Sequence, residues 1–513
     1  MAQVPNIDSN STGLSFAQES ALKTVSAPTW YQLEPNSYGD FGGQNTLIAR
    51  NPINSSRQRK KGVVVDLESM AEFETDLTYS RDELQALWSA ALCANFRSKG
   101  SEAVTVVDVD GGNPDEYEVA STAGFLVNHL ILGSGFTNSE NNALNKVTAV
   151  VSNTSVEVAT GSLAAEASPP SGARIDVVGY EAAADDIAVV VTGNFARYTS
   201  TTLDFTTLGL IPGEWIFVGG DLSANKFVTA ANNGFKRVRS VSPNALVVDK
   251  SDADMSAETT TSKSIRFFFG RVLRNEQGTS IVKKTFQFER SLGAPDDASP
   301  SAIQSEYVVG TMVNEVETSI GTADKVTVNW SCMGLDTELR DAATGVKSGT
   351  RATLASGDAF NTSSDFSRIR LAAVSTSDEA PASMFTYCME MTLNINNNIT
   401  INKAIATLGG FGLSLGTFEV GASLNAYLSD IEALQSIKDN DSVTLDAVLV
   451  KANKGIVIDM PLGSLGDGRP QVEQDQAVMI PLEFQAADAT VVNSSFDYSL
   501  MMCFFDYLPD AAG

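Results

Sequence analysis

The feature that most constrains this chain is a set of long runs in which apolar and polar residues alternate. Residues 63–78, 307–320 and 325–332 follow this period of two. Such alternation is typical of a β-strand with one buried face. Further runs at 265–273, 281–289, 384–401 and 416–427 predict more strands, and the aromatic-rich run 496–507 predicts a buried closing strand. We therefore expect a mainly β protein.

Two segments stand out as helices, and both begin with the same pattern. Ser80 is followed by Glu83, and Ser429 is followed by Glu432. Ser-x-x-Glu is a capping box, in which the hydroxyl and the carboxylate accept hydrogen bonds from backbone N–H groups of the first helical turn. Each box follows a long alternating strand. We interpret the two segments as a duplicated strand-to-helix unit; coincidence is the alternative, because capping boxes are common.

A second internal repeat lies between the two halves. Residues 124–133 resemble 209–219, and residues 142–151 resemble 233–241. Each copy predicts a strand, a glycine-rich loop, two more strands and a turn. We expect two small β-barrel-like modules inside residues 100–261, inserted into the first half and exposed on its outside.

The first 62 residues differ from the rest. Prolines 5, 28, 35 and 52 interrupt regular elements, and the intervening Asn, Ser and Gly residues favour turns and extended chain. We expect a long arm that lies on the rest of the protein or on a neighbouring copy. The basic run at 57–61 is expected to pair with carboxylates of a neighbour; a solvated charge cluster is the alternative.

Composition argues against most catalytic and nucleic-acid-binding classes. The 513 residues contain 62 acids against 35 Lys and Arg, a formal net charge of −27, so a basic surface for phosphate is not expected. The one histidine, His129, lies in an apolar strand and is expected to be a satisfied or half-buried residue and not a catalytic base. The four cysteines are far apart and are expected to be buried free thiols. We predict no enzyme activity, catalytic residue, cofactor or metal site.

Targeting signals are not apparent either. Residues 1–12 are polar, and no apolar run reaches the roughly 18 residues of a membrane span. Neither a secretory signal nor membrane insertion is predicted.

Several motifs resemble the family of phage tail tube proteins. The first is WYQLEPNSYGDFG at 30–42; the second is RNPI at 50–53, followed by RQRKKG at 57–62 and a strand that ends in a helix. The third is LNINNN at 393–398 with a glycine-rich loop and LGTFE at 415–419. The resemblance covers 28–95 and 262–490, and extends more loosely into the insert through GEWIFVGG at 213–220.

The resemblance implies duplicated tail-tube β-sandwich or barrel domains, each with a flanking helix, in addition to the inserted β-barrel-like modules. The boundaries we predict are an extended N-terminal arm at 1–62, a first tube domain at 63–99 plus 262–300, the inserted pair at 100–261, a second tube domain at 301–490 and a closing strand at 491–513. We expect the closing strand to complete the first tube domain, because that domain has few strands before the insertion.

The resemblance also implies a structural role in the virion tail of a long-tailed, non-contractile bacteriophage, a siphophage. Such major tail tube proteins form rings, here expected to be homotrimers with pseudo-six-fold symmetry, which stack as a helical assembly. The tape measure protein and the tail terminator are the implied partners, and assembly is expected in the cytoplasm of the bacterial host. DNA passes through the lumen during ejection without specific binding, and the net charge predicts a lumen lined by Asp, Glu and small polar residues.

The arm is expected to contact the adjacent ring through aromatic, acidic and basic side chains. The candidates are Trp30, Tyr31, Glu34, Pro35, Tyr38, Phe41, Arg50, Arg57, Arg59, Lys60 and Lys61. Two alternatives remain for the whole chain: a minor baseplate or tail-tip protein with the tube fold, and a tail decoration that binds the host surface through residues 100–261.

Overall fold

The computed structural model describes residues 7, 9, 12–53, 55, 57–109, 114–151, 154–293, 303–341, 344–355, 357–428 and 431–513. Over this part of the chain strands predominate and two α-helices occur, which confirms the predicted mainly β class. The elements before the insert are β1 (Gly13–Gln18), β2 (Thr29–Leu33), β3 (Pro35–Arg50), β4 (Lys60–Asp76) and α1 (Leu84–Ala91).

The insert contains a run of shorter strands. They are β5 (Ser101–Asp108), β6 (Asp115–Val119), β7 (His129–Ser134), β8 (Leu144–Lys146), β9 (Ala149–Val151), β10 (Ser155–Val158), β11 (Arg174–Glu181), β12 (Ala188–Val190), β13 (Arg197–Thr199), β14 (Trp215–Val218), β15 (Gly234–Ser242), β16 (Ala245–Ser251), β17 (Glu258–Thr259) and β18 (Arg266–Phe269). Because β18 pairs with β11 and β14, the sheet of the insert continues past residue 261.

The remaining elements follow the insert. They are β19 (Arg271–Arg274), β20 (Phe286–Gly293), β21 (Gln304–Gly321), β22 (Thr327–Gly334), β23 (Asp336–Arg340), β24 (Thr350–Arg351), β25 (Phe366–Ala373), β26 (Cys388–Asn396), β27 (Thr400–Lys403), β28 (Gly410–Ser414), β29 (Glu419–Tyr427), α2 (Glu432–Asp439), β30 (Val443–Lys451), β31 (Lys454–Asp467), β32 (Met479–Ala486) and β33 (Met501–Phe505).

Two groups of strands repeat one order of elements. We call β3, β4, α1, β20, β21 and β22 the N-terminal unit, and β26, β29, α2, β30, β31 and β32 the C-terminal unit. In each unit a hairpin leads into the helix, and a long bent strand then pairs with two partners in turn. The last strand returns beside the strand that precedes the helix. This order agrees with the predicted duplication of a strand-to-helix unit.

The two units share one antiparallel sheet, which we call the central sheet. Its order is β3–β4–β22–β21–β26–β29–β32–β31. The joint between the units is the pairing of β21 with β26, in which Val316 lies opposite Ile395. One face of the sheet packs on the largest hydrophobic core, which contains Phe73, Trp330 and Phe484.

The first helix begins later than its capping box predicts. α1 starts at Leu84, whose N–H donates to Ser80 Oγ at 3.1 Å, while Glu83 makes no capping bond through its side chain. Ser80 thus satisfies a backbone donor of α1, but a turn at 81–83 separates it from the helix, and the predicted start is corrected to Leu84. α2 starts at Glu432, and the second predicted cap, Ser429, lies outside the described residues.

The closing strand β33 is fully buried and pairs on both sides. Val272 of β19 and Val457 of β31 both lie opposite Cys503. The predicted burial is therefore confirmed. It connects β19, which lies in the predicted first tube domain, to β31 of the C-terminal unit, so its assignment to the first tube domain stays a prediction.

The insert contains the same hydrogen-bond network twice. In one copy, Asn141 Nδ2 donates to Glu166 Oε2 at 3.0 Å. In the other, Asn232 Nδ2 donates to Glu258 Oε2 at 2.9 Å. Each of these carboxylates also accepts two backbone N–H bonds from the preceding loop. The two networks have the same bonds and occupy corresponding positions of the two copies, which supports the predicted repeat of two modules.

A set of buried charges attaches the insert to the C-terminal unit. We call it the buried ion cluster; it consists of Arg237, Asp249, Lys250, Arg368, Asp446 and Asp459. Lys250 Nζ lies 2.6 Å from Asp446 Oδ1, and Arg237 Nη1 lies 3.2 Å from Asp459 Oδ2. Both aspartates are completely buried. These ion pairs fix the orientation of the second module on β30 and β31.

Candidate functional site: an acidic sheet face and a projecting hairpin

One face of the central sheet carries carboxylates and small polar side chains. Directly opposed residues of antiparallel strands point to the same side, so the register defines this face. In one row Glu74, Asn329, Glu317 and Asn394 lie side by side across four strands. Their chain neighbours on the opposite face, such as Phe73, are buried in the core.

We call this surface the acidic face. Its carboxylates are Glu72, Glu74, Asp76, Glu315, Glu317, Glu390, Glu419 and Glu483. Between them lie Thr327, Asn329, Ser331, Ser319, Thr392, Asn394, Asn396, Gly421, Ser423, Asn425 and Gln485. The strands β21, β22, β26, β29 and β32 contain no Lys or Arg at all.

The carboxylates of this face receive hydrogen bonds from neutral groups. Ser423 Oγ donates to Glu483 Oε1 at 2.7 Å, and Asn396 Nδ2 donates to Glu315 Oε1 at 2.9 Å. An ion pair lies at the rim, where Lys325 Nζ is 2.7 Å from Asp76 Oδ1. Because hydroxyl and amide donors bring no positive charge, the centre of the face keeps a net negative potential.

The hairpin of β3 and β4 projects beyond the central sheet. β4 pairs with β22 only as far as Ser69, so the nine residues from Glu68 back to Lys60 pair with β3 alone and span roughly 30 Å. Its exposed apolar side chains are Leu47, Ile48, Val63, Val64 and Val65. A long, exposed apolar ribbon of this kind is typical of a surface that another chain covers.

The basic candidates lie at the far end of this hairpin. Arg50, Arg57, Arg59, Lys60 and Lys61 are all exposed, and none of them forms a salt bridge within the described part of the chain. The positive charge is thus placed at the tip, far from the acidic face.

The aromatic candidates lie at the base of the hairpin and are less accessible. Trp30 is completely buried, with its Nε1 donating to Ser348 O at 3.2 Å and the Arg351 guanidinium 5.1 Å from its ring. Trp30 therefore packs within its own chain and offers no surface to a neighbour. Tyr31 is half-buried beside Phe16, with ring centroids 5.8 Å apart.

The last candidates border the free side of β3. Pro35 and Tyr38 are half-buried and Glu34 is exposed. The guanidinium of Arg290 lies 5.5 Å from the ring of Tyr38 and 4.5 Å from the ring of Phe41. Tyr38 and Phe41 are thus covered from one side and remain open at the sheet edge.

His129 is 2% exposed, so it is buried more deeply than the predicted half-buried position. Its Nδ1 accepts a hydrogen bond from Leu126 N–H at 3.1 Å. Burial lowers its pKa to about 4, so the ring is neutral at pH 7. The four cysteines are free thiols, three of them buried. No cluster of three or more His, Cys, Asp and Glu placed to hold a metal ion occurs among the described residues.

Sequence reasoning predicted an acidic lumen but did not name the residues of the acidic face. The available signal was the alternation of acids on the predicted strands, as in Glu72–Glu74–Asp76 and Glu315–Glu317. A third feature, the small hairpin of β27 and β28, was also missed. It exposes Ile405 and Phe411 and lies beside the projecting hairpin, where Lys403 Nζ contacts the carboxylate of Asp66.

The chain was compared with known proteins. The family model described as phage tail tube protein matches residues 9–486. No curated protein matches the chain. No helix in the described ranges has the length and apolar character needed to cross a membrane. Because the family match covers nearly the whole chain, this protein belongs to the phage tail tube protein family, whose members are structural components of the virion tail.

Proposed function

We propose that this chain is the major tail tube protein of a siphophage, and that the acidic face lines the lumen through which DNA is ejected. The single observation that carries this proposal is the row structure of the acidic face, with eight carboxylates on six adjacent strands, five of which contain no Lys or Arg. The large, regular area of one sign suits a wall that faces a polyanion.

The physical reason is repulsion at short range. Duplex DNA carries one negative charge per ~1.7 Å of its axis, and basic surfaces bind it by releasing counterions. A wall of carboxylates releases none and repels the phosphates within the Debye length of about 8 Å at physiological salt. DNA therefore moves along the wall without being held by it.

We propose that the copies form homotrimeric rings with pseudo-six-fold symmetry. The two units in each chain would supply six similar units per ring. Ring stacking would use the projecting hairpin, with Arg50, Arg57, Arg59, Lys60 and Lys61 reaching acidic surface on the adjacent ring. Of the other candidates, Tyr31, Glu34 and Pro35 keep exposed surface and stay in the stacking proposal, whereas Tyr38 and Phe41, which are also partly exposed, lie at the free edge of β3.

The further implications come from the family resemblance. The proposed partners are the tape measure protein inside the tube and the tail terminator at its end, with assembly in the host cytoplasm. The chain has no proposed enzymatic role. A baseplate or tail-tip position is the alternative, and stoichiometry in the particle separates the two, because a tube protein is among the most abundant components.

The first test is direct imaging. Purified protein examined by negative-stain microscopy is expected to form rings or long tubes, and a map of such a tube is expected to place Glu74 and Glu317 on the inner wall. Monodisperse small particles, or a net basic inner wall, would refute the proposal.

The second test changes the charge of the wall. In particles built with Glu74→Lys and Glu317→Lys, we expect slower DNA release, most strongly at low salt. The matched control is Glu140→Lys with Asp254→Lys, which makes the same change of charge on exposed positions of the insert. Equal release rates in both variants, with tubes intact, would argue against a lumenal position of the acidic face.

A further inference from the structure

The central sheet has two edges that are unpaired in a single copy. Within the described chain β3 pairs with β4 alone, and beyond Gly463 β31 pairs with β32 alone. Natural proteins usually protect such edges with Lys, Pro or a covering element, because a free edge invites another strand. Residues 463–467, GSLGD, contain neither Lys nor Pro. β3 begins at Pro35, but its residues 36–41 contain neither Lys nor Pro. These two stretches therefore have the character of surfaces that become covered.

The pairing of β21 with β26 within one chain indicates which strand could cover each free edge. Val316 of β21 and Leu465 of β31 occupy equivalent positions, because they lie opposite Trp330 and Phe484, the aromatic residues of the two returning strands. β21 uses its other side to pair with β26, and Val316 there lies opposite Ile395. The equivalent side of β31 is the free edge.

The partner of that joint also has an equivalent. Ile395 of β26 lies opposite Val420, and Phe41 of β3 lies opposite Ala71, at the same place in the two repeated hairpins. β26 is covered by β21, whereas β3 is not covered. Each unit therefore has two edge strands, β3 and β21 in the N-terminal unit and β26 and β31 in the C-terminal unit. Within one chain β21 pairs with β26, whereas β3 and β31 each keep a free edge.

We propose that β31 of one copy pairs antiparallel with β3 of the next, with Leu465 opposite Phe41 and Asp467 opposite Tyr38. This register repeats the internal pairs Val316–Ile395 and Thr318–Leu393. The inference rests on the proposed ring, and it specifies the contact that closes the ring.

Strand direction agrees with this joint. The central sheet contains eight strands, and each strand is antiparallel to its neighbours. Its first and last strands, β3 and β31, therefore run in opposite directions. Copies placed side by side in the same orientation therefore meet as an antiparallel pair. Because the contact joins two different surfaces, it is heterologous and generates a ring when the rotation closes.

The exposure of equivalent side chains on β26 and β3 shows that β3 lacks a second neighbouring strand in the described chain. Leu393 and Ile395 are 0% and 2% exposed, whereas their equivalents Tyr38 and Phe41 are only half-buried. The difference corresponds to the cover that β21 gives to β26. α2 does not obstruct the edge, because α1 packs on β21 in the equivalent way and leaves β21 free to pair.

The test is cross-linking between copies. In a background with Cys388→Ser, we place Ser37→Cys with Gly466→Cys and add a short bismaleimide. The proposed register brings these positions to adjacent places on the acidic face. The matched internal control is Thr392→Cys with Glu317→Cys, which are the equivalent positions of the joint between β26 and β21. The out-of-register control is Ser37→Cys with Ser464→Cys.

The expected result is covalent dimers and trimers for the first pair, a cross-link within one chain for the internal control, and little product for the out-of-register pair. A second pair, Asp40→Cys with Gly466→Cys, repeats the test if the first variant fails to assemble. Rings seen by microscopy without cross-links between copies from either pair would overturn this joint while the proposed function stands. Absence of rings from the unmodified protein would overturn both.

Discussion

Carboxylates occur in two opposite settings in this protein. On the acidic face, Glu74 and Glu317 are exposed to solvent or half-exposed and lie among neutral donors. In the buried ion cluster, Asp446 and Asp459 are completely buried and lie within ion-pair distance of Lys250 and Arg237. The same chemical group therefore serves the fold in one region and leaves a free charge in the other. The difference predicts where a substitution costs stability and where, under the proposed function, it changes only the interaction with DNA.

The largest effect on stability is expected from Asp446→Ala. Burial opposes the charge of this carboxyl, but Arg368, Lys250 and Arg370 outweigh burial and hold its pKa well below its usual range. Removing it leaves buried cations without a partner, which costs about 3–5 kcal/mol of unfolding free energy. Denaturant unfolding measures this loss. Glu317→Ala on the acidic face is the control, with a change within about 0.5 kcal/mol. Equal losses in the two variants would remove the distinction between the two settings.

The next effect concerns His129 and pH. The pKa of an unfolded histidine is about 6.5, and burial lowers that of His129 to about 4. Between these values the unfolded chain binds the additional proton, so the unfolding free energy decreases as pH falls through this window, by about 3 kcal/mol in total. The measurement is the unfolding free energy of the protein and of His129→Asn from pH 7 to pH 4. The carboxylates titrate in both proteins. Parallel curves of unfolding free energy against pH for the two proteins would therefore show that His129 contributes nothing to the pH dependence.

A smaller effect on stability, with a clear effect on assembly, is expected at the hairpin tip. Arg59→Gln with Lys60→Gln leaves the unfolding free energy within about 0.5 kcal/mol, because both side chains are exposed. Tubes of this variant are expected to be shorter and to dissociate at lower salt, as sedimentation and microscopy can measure. Lys283→Gln with Lys438→Gln removes the same charge elsewhere. If this control shortens the tubes equally, net charge and not the tip governs stacking.

The smallest effect on the fold is expected from neutralising the acidic face. Glu74→Gln with Glu317→Gln keeps the shape and hydrogen-bonding capacity of both side chains, so stability and tube formation are expected to be unchanged. Purified tubes are expected to retain slightly more DNA at low salt, as measured by co-sedimentation. A loss of folding comparable to that of Asp446→Ala would show that these carboxylates are structural.

Local periodicity predicted the strands well, but contacts between distant segments were not accessible. The alternation at 63–78 and 307–320 corresponds to β4 and β21. The acidic face depends on register between strands such as β21 and β26, and no local pattern determines that register. The ion pair of Lys250 with Asp446 joins residues 196 positions apart, and each alone looks like an ordinary surface charge.

The arm shows the same limit of local reasoning. Trp30 lies in the first 62 residues, which prolines interrupt, and this made it a candidate for contact with a neighbour. β2 instead places it beside Tyr307 of β21, with ring centroids 5.8 Å apart. An aromatic residue in an irregular segment gives the same sequence signal whether it is covered by its own chain or by another.

The position of β33 in the chain has a consequence for the order of events in the cell. This strand pairs with β19 and with β31, so both pairings must wait until the ribosome has made residue 505. A growing chain that has not reached this residue therefore lacks the strand that joins β19 to β31. Until then Val272 and Val457 lack the core neighbours that β33 supplies, so the core between the insert and the C-terminal unit closes late in folding.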